Sequence, residues 1–122
     1  MYNSTVLDHF QNPRNVGELA DDDDDANTIA VAEVSNPVCG DILKLWVKVQ
    51  EGKVAEVSFK VSGCVPSVAC GSALTEMIKG RAVSELTITA DEIEERVQGL
   101  PAASRHAAQL AADACRAVLE KL

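Results

Sequence analysis

The sequence predicts an α+β domain, on three observations. Three strand-like segments fall between residues 28 and 61. The links between them are short, which favours an antiparallel meander and so a three-stranded antiparallel sheet. After Gly63 the apolar residues change from alternation to helical spacing, and strands followed by helices are the α+β order.

Residues 2–10 read as a short amphipathic helix, capped by Asn3 or Ser4, with Val6, Leu7 and Phe10 on one face. Asn12-Pro13 ends it as a turn. Asp21 to Asp25 are consecutive carboxylates that repel one another and belong in a solvated loop; they lack the ligand spacing and the glycine of a calcium loop. Thr28 to Ser35 and Ile42 to Gln50 alternate well, the second with Leu43, Leu45, Val47 and Val49 on one face. Glu51-Gly52 joins the second strand to the third as a hairpin turn. The third, Val54 to Val61, is only partly in phase through Val54, Val57, Phe59 and Val61. Pro66 suits the first turn of a helix, Cys70, Leu74, Met77 and Ile78 form its apolar stripe, and Gly80 stops it. A short acidic helix is expected over residues 90–97, with Asp91 near its start. Gly99-Leu100-Pro101 is a break, and an alanine-rich helix runs from about Ala103 to the end, with Leu110, Ala114 and Val118 among its buried residues.

A chain of 122 residues fits a single domain, 1–122, without internal repeats or a long linker. Aromatics are only 3%, so the core must be built from Val, Leu, Ile and Ala. With 19 acidic against 11 basic residues and a formal charge of −8, the chain has no clustered basic surface for phosphates, which argues against nucleic acid. No stretch approaches the roughly 20 apolar residues that cross a bilayer, and Met1 to Phe10 lack the pattern of a secretory leader. The expected location is cytoplasmic, where four reduced cysteines suggest a metal or a reactive thiol before disulfides.

Four side chains could do chemistry together. Cys39 and Asp41 flank Gly40 between the first two strands; in extended chain they point the same way, so a thiolate and a carboxylate could face one site. The same triplet also reads as a plain turn with a buried cysteine. Cys64 stands where the third strand meets the next helix, and the free N–H groups of a helix start stabilise a thiolate, the form that ligates soft metals. His106, one to two turns into the last helix, would complete a Cys, Cys, Asp, His set suited to zinc or an iron–sulfur cluster. Cys70 sits on an apolar stripe about 9 Å of helical rise from Cys64, which favours packing over ligation. Cys115 is half a turn out of phase with His106 and reads as structural. No acid/base pair or nucleophile–base set stands out, so no enzymatic activity is expected.

In this order these residues resemble the IscU/NifU-like iron–sulfur cluster assembly scaffold family. The match runs through Leu7-Asp8-His9-Phe10-Gln11-Asn12-Pro13-Arg14-Asn15-Val16-Gly17, Asn36-Pro37-Val38-Cys39-Gly40-Asp41, Phe59-Lys60-Val61-Ser62-Gly63-Cys64, Leu74-Thr75-Glu76-Met77-Ile78-Lys79-Gly80, Leu100-Pro101 and His106, nearly the whole chain. The resemblance implies a SufE/NifU-like α+β fold, with helices packed on one face of the sheet and the site at one end. It implies that Cys39, Asp41, Cys64 and His106 hold a transient [2Fe–2S] cluster, with Zn²⁺ possible in the same place. The implied partners are a cysteine desulfurase as sulfur source and acceptor proteins that take the cluster.

Two departures carry consequences. The family places a third cysteine directly after the histidine, and here that residue is Ala107. Cys39 or Cys64 would then accept sulfur, Cys70 would substitute, or no cluster would be made. Two other readings follow: a zinc-binding acceptor of persulfide sulfur, or a regulator of a cysteine desulfurase that assembles nothing. The motif read by the family's dedicated chaperone is only begun at Leu100-Pro101, which gives little ground for dependence on it. The spacing from Cys64 to His106 leaves no room for the insertion of the zinc-dependent SufU branch, which favours the shorter IscU-like form.

Overall fold

The computed structural model describes residues 2–20, 27–37 and 40–122. The acidic run Asp21–Asp25 and Cys39 lie outside the described residues. In chain order the elements are α1 (Ser4–Gln11), β1 (Asn27–Asn36), β2 (Asp41–Gln50), β3 (Lys53–Ser62), α2 (Val65–Ile78), α3 (Ala90–Arg96) and α4 (His106–Leu119), with single 3₁₀ turns at Val83–Glu85 and Ala102–Ser104. The strands form an antiparallel sheet in the order β1-β2-β3.

Alternation along β2 sends Leu43, Leu45 and Val47 to one face, where they are fully buried. On that face α2 supplies Leu74 and Ile78, and α4 supplies Leu110, Ala111, Ala114 and Val118. Small residues let the layers approach closely. A β-carbon on Gly71 of α2 would stand 2.7 Å from the Phe59 ring, inside van der Waals contact.

The uneven phase of β3 has a local cause. Val49 pairs with Val54 but Lys48 pairs with Glu56, so Ala55 is an extra residue on β3. This bulge allows Val54 and Val57, an odd number of residues apart, both to be buried. At the β2–β3 turn Glu51 and Gly52 both have positive φ, 55° and 76°, as a two-residue type I′ hairpin requires.

The first helix buries Val6, as its apolar pattern suggested, but not the other two residues of that face. Val6 and His9 are buried, whereas Leu7 and Phe10 are exposed. Polar partners decide this. His9 Nδ1 lies 2.8 Å from Ser72 Oγ on α2, and its Nε2 faces Glu76 at 3.6 Å. Asn3 caps α1 by accepting from Val6 N–H, while its amide donates to the carbonyls of Val97, Gln98 and Gly99 at the end of α3. The following loop is tied down through its backbone and the Asn15 side chain. Arg14 N–H donates to Ser72 Oγ, Asn15 Nδ2 to Thr75 Oγ1, Phe59 N–H to the Asn15 carbonyl, and Gly17 N–H to the Phe59 carbonyl. Residues Arg14 to Gly17 thus cover the edge of β3 at Phe59 and tie it to α2 through Ser72 and Thr75.

Candidate metal centre

The site lies at the end of the sheet where β2 begins and β3 gives way to α2. Gly40, with φ at +72°, turns the chain and donates its N–H to the Asn36 carbonyl at 2.7 Å. Asp41 then opens β2 with the same parity as Leu43 and Leu45, so its carboxylate enters the layer between sheet and helices and is 5% exposed. Room for it comes from Gly63. A β-carbon there would lie 2.6 Å from Asp41 Cγ and 2.7 Å from Oδ1.

Cys64 is the N-cap of α2, in extended conformation, with its carbonyl accepting from the N–H groups of Ser67 and Val68. Its side chain makes no capping bond, so the sulfur is free to face the site. Cys64 Sγ is 3.1 Å from Asp41 Oδ2 and 4.0 Å from His106 Nε2. His106 opens α4 rather than standing a turn or two inside it, because the preceding residues take the 3₁₀ turn Ala102–Ser104. That turn supplies the Ala103 carbonyl, 3.2 Å from His106 Nδ1. A carbonyl can only accept, so this bond places the proton on Nδ1 and leaves the Nε2 lone pair toward the site, 3.8 Å from Asp41 Oδ2.

Burial pushes the Asp41 carboxyl up, but hydrogen bonds from Ser67, from the Cys64 thiol and from the Cys64 backbone outweigh it and hold the group below its ordinary value. The carboxylate form is therefore the resident one.

Asp41, Cys64 and His106 each offer a ligand atom, and these atoms all lie within 4.8 Å of one another. Donors about 2.0 to 2.3 Å from a tetrahedral ion stand about 3.5 Å apart. The separations of 3.1, 3.8 and 4.0 Å straddle that figure, so one metal ion fits among the three with small side-chain adjustments.

The other cysteines stand elsewhere. Cys70 is fully buried in the main core, and burial, with smaller effects of Cys64 and Glu94, pushes its thiol up to about 12. It stays protonated at neutral pH and outside the ligand group. Cys115 is buried, donates to the Leu86 carbonyl at 3.4 Å, and is pushed up to about 11 by burial. Ala107 is fully buried in the same core.

Sequence reasoning missed two participants. Ser67, fully buried, donates to Asp41 Oδ2 at 2.5 Å and lies 3.3 Å from Cys64 Sγ. The signal was present, since residues three apart at a helix start share a face. Gly63 carried no signal of its role, because its contact with Asp41 spans 22 residues of chain.

Comparison with known proteins shows the family and the fold. The family model for the NifU-like N terminal domain matches residues 1–122. The iron-sulfur cluster assembly scaffold protein IscU 1 of Archaeoglobus fulgidus is 44% identical over 117 residues, covering 95% of this chain and 72% of that protein. The scaffold protein IscU of Azotobacter vinelandii is 40% identical over 120 residues, covering 97% and 91%. A relative from Drosophila melanogaster, 38% identical over 120 residues, carries the name assembly enzyme IscU. In fold, the N-terminal part of a nitrogen-fixing NifU-like protein from Brucella abortus superposes with a TM-score of 0.71 over 98% of this chain and 95% of that one, at 22% identity. This three-stranded sheet with its helices is the fold of those domains, and the chain belongs to the IscU/NifU-like family.

Proposed function

We propose that this chain is an iron–sulfur cluster assembly scaffold, binding iron and sulfide as a transient [2Fe–2S] cluster and passing it to acceptor proteins. The observation that carries the reading is the convergence of Asp41, Cys64 and His106 from three separate elements on one small volume. Support from relatives is that proteins of Archaeoglobus fulgidus and Azotobacter vinelandii, at 40% identity or more, are named iron-sulfur cluster assembly scaffold proteins.

The proposed ligands are Cys39, Asp41, Cys64 and His106. Cys70 is left out: to join them it would have to leave the core and lose a proton held to about 12. The donor set has a consequence for function. Thiolates bind iron and bridge well to sulfide chemistry, whereas a carboxylate is a harder and poorer partner. A site that mixes them holds a cluster without trapping it, and Asp41 is its labile element. A cysteine desulfurase is the proposed sulfur source. Zn²⁺ would suit the same S, N and O donors, at the expense of the cluster.

The test is anaerobic reconstitution with ferrous iron, L-cysteine, a cysteine desulfurase and dithiothreitol, followed by visible and Mössbauer spectra and metal analysis. Iron and sulfide bound in near-equal amounts support the scaffold. Tight Zn²⁺ with sulfane sulfur on a cysteine points to the zinc-binding sulfur acceptor instead.

A further inference from the structure

Resting on that reading of the site, we infer that Ser67 is a positioning residue, fixing the Asp41 carboxylate so that only Oδ2 meets the metal. Asp41 is walled on two sides. Its Oδ1 lies so close to Gly63 that a β-carbon on residue 63 would stand 2.7 Å away. Its Oδ2 takes a short hydrogen bond from Ser67 at 2.5 Å, a charge-assisted O–H···O⁻ contact at the strong end of the range. Ser67 is itself fully buried in the first turn of α2, so its hydroxyl has no water to turn to.

The Cys64 thiol is the second donor to that oxygen, at 3.1 Å. When a metal takes the sulfur, the thiol proton leaves to solvent and this contact is lost. The Ser67 hydroxyl carries no charge and stays, so Oδ2 keeps its aim into the space between Cys64 Sγ and His106 Nε2. His106 is held in the same manner by the Ala103 carbonyl. Accepting the Ser67 proton weakens Oδ2 as a donor, and that opposes affinity. Loss of a ligand-orienting partner nevertheless costs about 10- to 100-fold in metal affinity, so orientation is the larger effect.

The experiment is a competitive Co²⁺ titration of the full chain, read by the thiolate-to-cobalt charge-transfer band and the d–d bands, in wild type, Ser67→Ala, Asp41→Ala and the double variant. Thermal melts of the metal-free proteins run beside it. Ser67→Ala should lower Co²⁺ affinity about ten-fold or more and alter the d–d envelope. In the Asp41→Ala background the same change should do nothing, because the group it orients is gone. An equal loss in both backgrounds makes Ser67 a merely structural residue and overturns the inference, as does a wild-type affinity and spectrum in Ser67→Ala. Wild-type protein that binds Co²⁺ without a charge-transfer band overturns the reading of the site itself, and this inference with it.

Discussion

Gly63 and Asp41 pack so closely that a β-carbon on residue 63 would stand 2.6 Å from the Asp41 carboxyl carbon. No side chain other than hydrogen fits without moving the carboxylate, and Ser67 blocks its retreat on the other oxygen. Gly63→Ala should therefore displace Asp41. Overpacking of this kind costs about 1–3 kcal/mol. The expected result is a lowered urea midpoint together with Co²⁺ affinity reduced at least as far as in Asp41→Ala. Unchanged affinity would show that the carboxylate has no part in binding.

If Asp41 is the labile ligand, removing it lengthens the life of the assembled cluster. Asp41→Ala, reconstituted as above, should lose its visible absorbance to a chelator or an apo-acceptor more slowly than wild type. A lifetime equal to or shorter than that of wild type would assign lability to another ligand.

The thiols should differ in reactivity. Cys64 is partly exposed at a helix start, whereas Cys70 and Cys115 are buried with thiols pushed up to about 12 and about 11. Timed alkylation of the native, metal-free protein with iodoacetamide, read by peptide mass spectrometry, should label Cys64 well before either buried cysteine. Early labelling of Cys70 would mean that α2 opens readily, and would return that residue to consideration as a ligand.

Stability should fall with acid through His9. Burial first, then the positive charge of Arg14 with a smaller effect of Arg96, lowers its affinity for a proton, against the opposing pull of Glu76 and Asp8. Its folded value thus lies below the ordinary 6.5, and the unfolded chain binds the proton more readily. The stability this represents is complete above pH 6.5 and is lost as pH falls from there toward the folded value. Urea midpoints measured from pH 7.5 down to 5 should decline in wild type and decline less in His9→Asn. Parallel profiles would remove His9 from the account of acid sensitivity.

Much of this architecture was legible because it depends on short-range pattern. Alternation in β2 reads directly onto Leu43, Leu45 and Val47, and the Glu51-Gly52 turn declares its hairpin. What escaped depends on pairing across the chain. The bulge at Ala55 is visible only once β2 is beside β3. The burial of His9 in place of Phe10 is set by Ser72 and Glu76 on another helix, which no helical wheel of α1 contains. Likewise Asp41, Cys64 and His106 could be named from the chain, but that Ser67 and Gly63 both press on Asp41 emerges only from packing.

The central claim is that Cys64, brought beside Asp41 and His106, holds iron and sulfide. The most direct measurement is the iron and acid-labile sulfide bound per chain after anaerobic reconstitution, in wild type and in Cys64→Ser. The account predicts near-equal iron and sulfide in wild type and the loss of both in the variant. A variant that retains its full complement would contradict it.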